Sequence, residues 1–160
     1  MENQTLLTIE DLSVQFVSAG VRTTALSGLS LTAKKGEILA VVGASGAGKS
    51  LLAHAVLGLL PKNAEVTGRM TYKGQALNEK TLPRLRGTEI TLIPQAVTYL
   101  DPLMPVGRQV YYPMNKQEGR AKTAALFEEY GLSPEVMKKY PFELSGGMTR
   151  RVLFSAPVLS

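Results

Sequence analysis

Apolar and polar positions alternate at the start of the chain. In LLTIEDLSVQF, residues Leu7, Ile9, Leu12, Val14 and Phe16 fall at nearly every second position, with one slip at Asp11. This is the period of a strand with one buried face. SAGVRTT reads as a turn, ALSGLSLTA as a second, antiparallel strand, and KKGE as a tight connection into the apolar run Ile38 to Val42. A short run apolar on both faces predicts a buried core strand. The period then changes: Leu51, Leu52, Ala55, Val56, Leu59 and Leu60 recur at helical spacing and Pro61 marks the stop. VTGRMTYKGQAL returns to strand character around a Lys73-Gly74 turn, and EITLIPQ predicts another buried strand ending at Pro94.

From AVTYLDPLMPVGRQV onward prolines and turns are frequent. RAKTAALFEEYGL predicts a helix, and SPEVMKKY a second with Ser133 as N-cap and Pro134 at its first position. The pattern divides the chain into an α/β core over 1–95, a helical subdomain over 96–150, and a return toward the core over 151–160.

Composition narrows the class. The 160 residues are 44% hydrophobic and 19% charged, as in an ordinary globular chain. No apolar run reaches the ~18 residues that span a bilayer, and MENQTLLTIEDL carries acidic residues where a signal peptide would be basic, so a cytoplasmic location is expected. The absence of cysteine excludes disulfides, cysteine–zinc sites and thiol catalysis. The formal charge of +5 is spread over short pairs such as Lys34-Lys35 and Arg150-Arg151, with few aromatics between them. No nucleic-acid partner is expected from that pattern.

The sharpest chemistry lies between the run Ile38 to Val42 and the helix that follows it. GASGAGKS, residues Gly43 to Ser50, matches G-x-x-x-x-G-K-[ST] in the strand–loop–helix context that the motif requires. Backbone N–H groups must approach phosphate oxygens closely, and Gly43, Ala44, Ser45, Gly46, Ala47 and Gly48 keep every side chain small. The helix N-terminus adds unpaired donors and about half a positive charge. Lys49 would place its charge on the β- and γ-phosphates, and the Ser50 hydroxyl would ligate Mg²⁺. The loop says triphosphate. It does not choose among GTPases, small-molecule kinases, helicases and transport ATPases.

A second motif, YPFELSGGMTRRVLF, brings a hydroxyl (Ser145) and bare backbone (Gly146, Gly147) to the start of another helix. Together with Gln95 after TLIP, these segments resemble the ATP-binding cassette family: Gly43 to Ser50 is similar to its Walker A loop, Gln95 to its Q-loop glutamine, and Leu144, Ser145, Gly146, Gly147 and Met148 to its signature. The resemblance implies an α/β P-loop NTPase fold with N-terminal antiparallel strands and a helical subdomain. It implies ATP and Mg²⁺ as cofactors and head-to-tail pairing with a second ATP-binding subunit, like or unlike. The signature of one chain would then act on the ATP held by the Walker A loop of the other. It further implies that Gln95 contacts Mg²⁺ or the attacking water and couples the site to transmembrane permease subunits, and that Phe16 stacks on adenine. GLLP, IPQAVTYLDPLMPVG and YPFELSGGMTRRV are similar to the importers of peptides, nickel or metal–opine complexes. Such a subunit would lie on the cytoplasmic face of the membrane, and an external binding protein would deliver its solute.

The chain departs from that family where it ends. The apolar strand closing in Asp-Glu and the later histidine that senses the γ-phosphate are not in the sequence, and its one histidine, His54, falls in the helix after the phosphate loop. The expectation is a fold truncated before the Walker B strand, an open edge beside Leu39 and Val41, and nucleotide binding that is weak at best with negligible turnover. Pro157 is out of place in a signature helix. The alternative is a degenerate or regulatory cassette, or a non-transport one, that contributes a half-site without hydrolysis.

Overall fold

The computed structural model describes residues 4–159 apart from Ser45, Ala47, Gln95 and Pro113. They form two compact units, Met1–Arg86 and Gly87–Ser160, treated separately below.

In the first unit, β1 (Thr5–Ser18) and β2 (Val21–Lys34) make a long antiparallel hairpin. Its turn is only Ala19-Gly20, both at positive φ (48° and 80°), the geometry that matches the twist of the flanking strands. β3 (Ala64–Tyr72) pairs antiparallel on the other side of β1, and β4 (Gln75–Ala76) folds back onto β3, giving the order β2-β1-β3-β4. The slip in the alternation at Asp11 is a β-bulge. Asp11 has φ 51°, and the register of β1 shifts between Ile9 and Leu12 against β2 and between Glu10 and Ser13 against β3. An extra residue there returns Leu12 and Val14 to the face of Ile9, and all three are buried. The Asp11 N–H donates to Ser30 Oγ (2.9 Å) and the Gly28 N–H to Ser13 Oγ (2.9 Å). Across the bulge, Gly68 sits at φ 98°, where a Cβ would come within 2.5 Å of the Asp11 carbonyl oxygen. Only glycine lets β3 approach so closely.

α1 (Lys49–Val56) buries Leu52, Ala55 and Val56, and the short α2 (Leu82–Leu85) buries Leu82 and Leu85. Arg86 follows, its guanidinium donating to the Gly58 carbonyl (3.2 Å). The Lys73-Gly74 turn is present, both residues at positive φ.

Two predicted core strands are absent. Residues 37–44 have no regular structure, with Ile38 98% and Val42 87% exposed and Leu39 and Val41 exposed beside them. Only Ile90 of EITLIP makes an isolated bridge; 91–94 are irregular. The reason is the same for both: a strand apolar on both faces is ordered by neighbours that satisfy its backbone and cover its sides, and no strand among the described residues pairs with either segment.

The second unit is helical. α3 (Val106–Tyr111), α4 (Lys116–Glu129) and α5 (Gly146–Leu159) close around a core of Val106, Val110, Phe127, Val136, Val152 and Leu153. Buried polar groups are satisfied within their helices: Thr123 Oγ1 donates to the Gly119 carbonyl (2.7 Å) and Ser155 Oγ to that of Arg151 (2.8 Å). The predicted helix in SPEVMKKY is instead a 3₁₀ turn over Pro134–Lys138. Its bonds run from residue i to i−3 (Val136 N to Ser133 O, Lys139 N to Val136 O), as suits so short a piece, and Ser133 caps it as expected, accepting from Glu135 N. α5 runs on through Pro157 to Leu159. The ring's fixed φ is compatible with helix, so near the end of α5 the proline forgoes a backbone bond without stopping the helix. Among the described residues no helix is long and apolar enough to cross a membrane.

Candidate functional site

The phosphate loop is built by the step from irregular chain into α1. Gly43 and Ala44 are exposed and irregular. Gly46 lies at φ 82° with open space where a Cβ would be, and Gly48 at φ 81° occupies the N-cap of α1. A Cβ at Gly48 would meet the Ala25 carbonyl oxygen at 3.1 Å, so both its backbone angle and its contact with β2 call for glycine. α1 opens without a side-chain cap and without an acidic residue in its first turn. That leaves an uncompensated positive helix end beside the loop.

Lys49 is half-buried, and its ammonium donates to the carbonyls of Gly43 (2.7 Å) and Ala44 (2.6 Å). The lysine thereby closes the loop on itself. Ser50, next in α1, is exposed. Small residues, open space, a positive helix end and a fixed ammonium fit a phosphate anion, and an exposed hydroxyl at Ser50 fits a metal carried with it. Ser45, Ala47 and Gln95 lie outside the described residues. Phe16 is half-buried in β1, opposite Thr23 and Ala64. His54 is half-buried in α1, a boundary position.

The signature segment lies in the other unit, at the start of α5. A 3₁₀ turn (Pro141–Glu143) precedes it, closed by Glu143 Oε2 accepting from Tyr140 N (2.7 Å), with the rings of Tyr140 and Phe142 stacked at 5.7 Å. Leu144 and Met148 pack against the helical core and anchor the segment from both ends. Ser145, Gly146 and Gly147 between them are exposed. Ser145 Oγ accepts from Met148 N (3.4 Å) and its carbonyl from Thr149 N (2.9 Å). Neither glycine has positive φ, and nothing lies within 4 Å of a Cβ at either. Their smallness serves no contact within this unit, and it leaves bare backbone facing outward.

Two residues of these surroundings were not singled out by sequence reasoning. Arg151 joins the start of α5 to the end of α4: its Nε donates to the Gly147 carbonyl (3.2 Å) and its guanidinium to those of Tyr130 (3.2 Å) and Gly131 (3.0 Å). A cation at a helix C-terminus is favourable, and its i+4 spacing from Gly147 was the available signal. Gln109 braces the loop before α3. Its amide nitrogen donates to the carbonyls of Asp101 (2.9 Å) and Met104 (2.7 Å), and its oxygen accepts from Asp101 N (2.8 Å).

Loop and fold together define a P-loop nucleotide-binding protein of the α/β type. The ABC transporter family model matches residues 26–159, and the chain belongs to that family. It is 37% identical over 166 residues to the oligopeptide transport ATP-binding protein OppD of Salmonella typhimurium, covering 96% of this chain and 50% of that protein. To the dipeptide transport ATP-binding protein DppD of Bacillus subtilis it is 33% identical, with 96% and 50% covered. The chain thus spans about half the length of these curated relatives. The dimeric structure of the bacterial ABC transporter cassette MJ0796 superposes with a TM-score of 0.83 at 22% identity, covering 96% of this chain and 69% of that one. A post-hydrolysis dimer of the same cassette, bound to ADP and Pi, gives 0.82. These likenesses establish the cassette fold.

Proposed function

We propose that this chain is the nucleotide-binding part of a peptide importer. Gly43 to Ser50 hold the phosphates of ATP and its Mg²⁺, and Leu144 to Met148 present the signature to nucleotide held by a second cassette. The observation that carries the reading is the phosphate loop: a left-handed Gly48 at an uncapped helix start, with the Lys49 ammonium fixed over the loop carbonyls. Among the solutes considered from sequence, the named functions of the relatives support peptides.

ATP with Mg²⁺, when bound, supplies the phosphoryl bond whose hydrolysis powers transport. The chain's own part is to bind and orient. Loop N–H groups and the α1 N-terminus receive the phosphates, Lys49 exchanges its carbonyl partners for phosphate oxygens, and Ser50 offers its hydroxyl to the metal. Gln95 would serve the metal or the attacking water and couple the site to permease subunits at the cytoplasmic face of the membrane, and Phe16 would stack on the base. The exposed Ser145, Gly146 and Gly147 close over the partner's nucleotide, so that each site is completed by two chains. The proposed functional boundary of core and helical parts, 95/96, falls beyond the break between the two compact units at Arg86 and Gly87. Residues 1–160 alone bind nucleotide weakly at best and turn it over negligibly, because no Asp-Glu pair closing an apolar strand stands among the described residues.

The test is thermal unfolding of the chain with and without Mg-ATP. Ligand at a hundred times its dissociation constant stabilises by about 2.7 kcal/mol. A raised midpoint that disappears in Lys49→Ala is expected. A folded wild-type chain with no shift, or an equal shift in Lys49→Ala, overturns the reading.

A further inference from the structure

The helical unit carries a cavity of about 600 Å³, away from the signature in sequence, lined by Arg108, Lys116, Arg120 and Lys138 together with Tyr111 and Tyr112. Pro105, Met114 and Met137 complete an apolar wall. Lys116 and Arg120 also line a second cavity with Asn115 and Gln117 at the start of α4. Lys138 is paired with Glu135 (2.9 Å). Arg108, Lys116 and Arg120 make no ion pair with any acidic side chain among the described residues. The acid nearest in sequence, Glu118, is bound to Lys122 (2.7 Å). Three uncompensated cations therefore border one concavity of the size that holds a small organic ligand.

We propose that this cavity binds a phosphoryl group carried on an apolar or aromatic body. A carboxylate neutralises one of the three cations, whereas a phosphoryl group brings up to two charges and three acceptor oxygens. Arg108 and Arg120 supply the planar fork that binds such oxygens in pairs, and Lys116 adds a point charge. The wall of Tyr111, Tyr112, Met114 and Met137 would be idle against a bare inorganic anion but suits an organic body, and Tyr112 is 73% exposed and open to contact. The same phosphomonoester chemistry is found in a soluble phosphate ester and in the headgroup of phosphatidic acid. The site is separate from the phosphate loop and does not depend on the function proposed above.

The experiment uses the 160-residue chain carrying Lys49→Ala, which silences the phosphate loop. Phenyl phosphate is titrated by calorimetry, and co-sedimentation is measured with phosphatidic acid–phosphatidylcholine vesicles against phosphatidylcholine alone. Arg108→Ala/Arg120→Ala is compared with the charge-matched Lys34→Ala/Lys35→Ala, circular dichroism confirming the fold of each, and Arg120→Gln gives a milder test. At least one probe should bind, and the arginine pair should weaken it about tenfold or more, as the loss of charge-assisted bonds requires, with a smaller loss in Arg120→Gln. The lysine pair should leave binding within about twofold, since it stands on the other unit and makes no such bonds. Phenyl phosphate binding without vesicle binding identifies the soluble ester, and the reverse identifies the headgroup. Absence of binding to either probe, or an equal loss in the lysine pair, overturns the proposal.

Discussion

Both units bury an apolar core, but the first also leaves a continuous apolar segment, Ile38 to Val42, bare. In the helical unit, α3, α4, α5 and a 3₁₀ turn enclose Phe127 completely, with Val106, Val110, Val136, Val152 and Leu153 buried in the same core, while Leu103 and Phe142 stand exposed. In the first unit, the sheet buries Ile9 to 1% exposure while Ile38, of the same residue type, stands 98% exposed. Side-chain chemistry does not separate these two isoleucines; neighbours do. Ile9 lies on a strand paired on both sides, and Ile38 on a segment paired on neither. The phosphate loop follows directly from that unpaired segment, so its described anchors are Gly48 against β2 and the lysine's own bonds to Gly43 and Ala44.

The largest effect expected from this contrast is at Phe127. Truncating a fully enclosed aromatic costs about 3–5 kcal/mol, a large share of the 5–15 kcal/mol typical of a domain. Phe127→Ala should abolish cooperative unfolding of the helical unit or lower its denaturation midpoint severely, as followed by circular dichroism in urea. A midpoint near wild type would mean that α3, α4 and α5 are not held by this core.

Next comes the matched pair of isoleucines, measured in the same 160-residue chain. Ile9→Ala should destabilise by about 2–5 kcal/mol. Ile38→Ala should change stability by no more than about 0.5 kcal/mol, as surface substitutions do. Equal costs at the two positions would break the comparison, because they would show residues 38–42 packed in solution as tightly as β1.

The same contrast explains what the sequence disclosed. The glycines of the phosphate loop were legible as turn positions, Gly46 and Gly48 lying at positive φ, and Ser145 to Gly147 as the exposed opening of a helix; their role toward an anion belongs to the proposed function. The bulge at Asp11 was legible as a slip in alternation, and the Lys73-Gly74 turn from its residues. The strands read into Ile38 to Val42 and EITLIPQ were not confirmed, because a strand apolar on both faces is a statement about partners, and partners are set by topology. The 3₁₀ turn after Ser133 was read as α-helix because its cap is the same for both; only length decides between them. α3 and the tie from Arg151 to the end of α4 left little trace, one being short and the other long-range.

The smallest effect belongs to the surface of the helical unit, where Lys122 Nζ meets Glu118 Oε1 at 2.7 Å within α4. The hydrogen bond from Lys122, reinforced by its charge and opposed only by slight desolvation, holds the Glu118 carboxyl below its ordinary value. An acid whose pKa is depressed by folding adds stability above its unfolded pKa and loses it as pH falls through the lowered folded one. The pair therefore helps at neutral pH and fades only in acid. Both side chains are more than half exposed, so salt screens the pair and its share of stability is minor. In Lys122→Met, the carboxyl ¹³C titration of Glu118 should move up toward the ordinary range, while the urea midpoint at pH 7 barely changes. If that midpoint fell as far as in Phe127→Ala, charge pairing on α4, and not enclosure of the ring, would be holding the helical unit together.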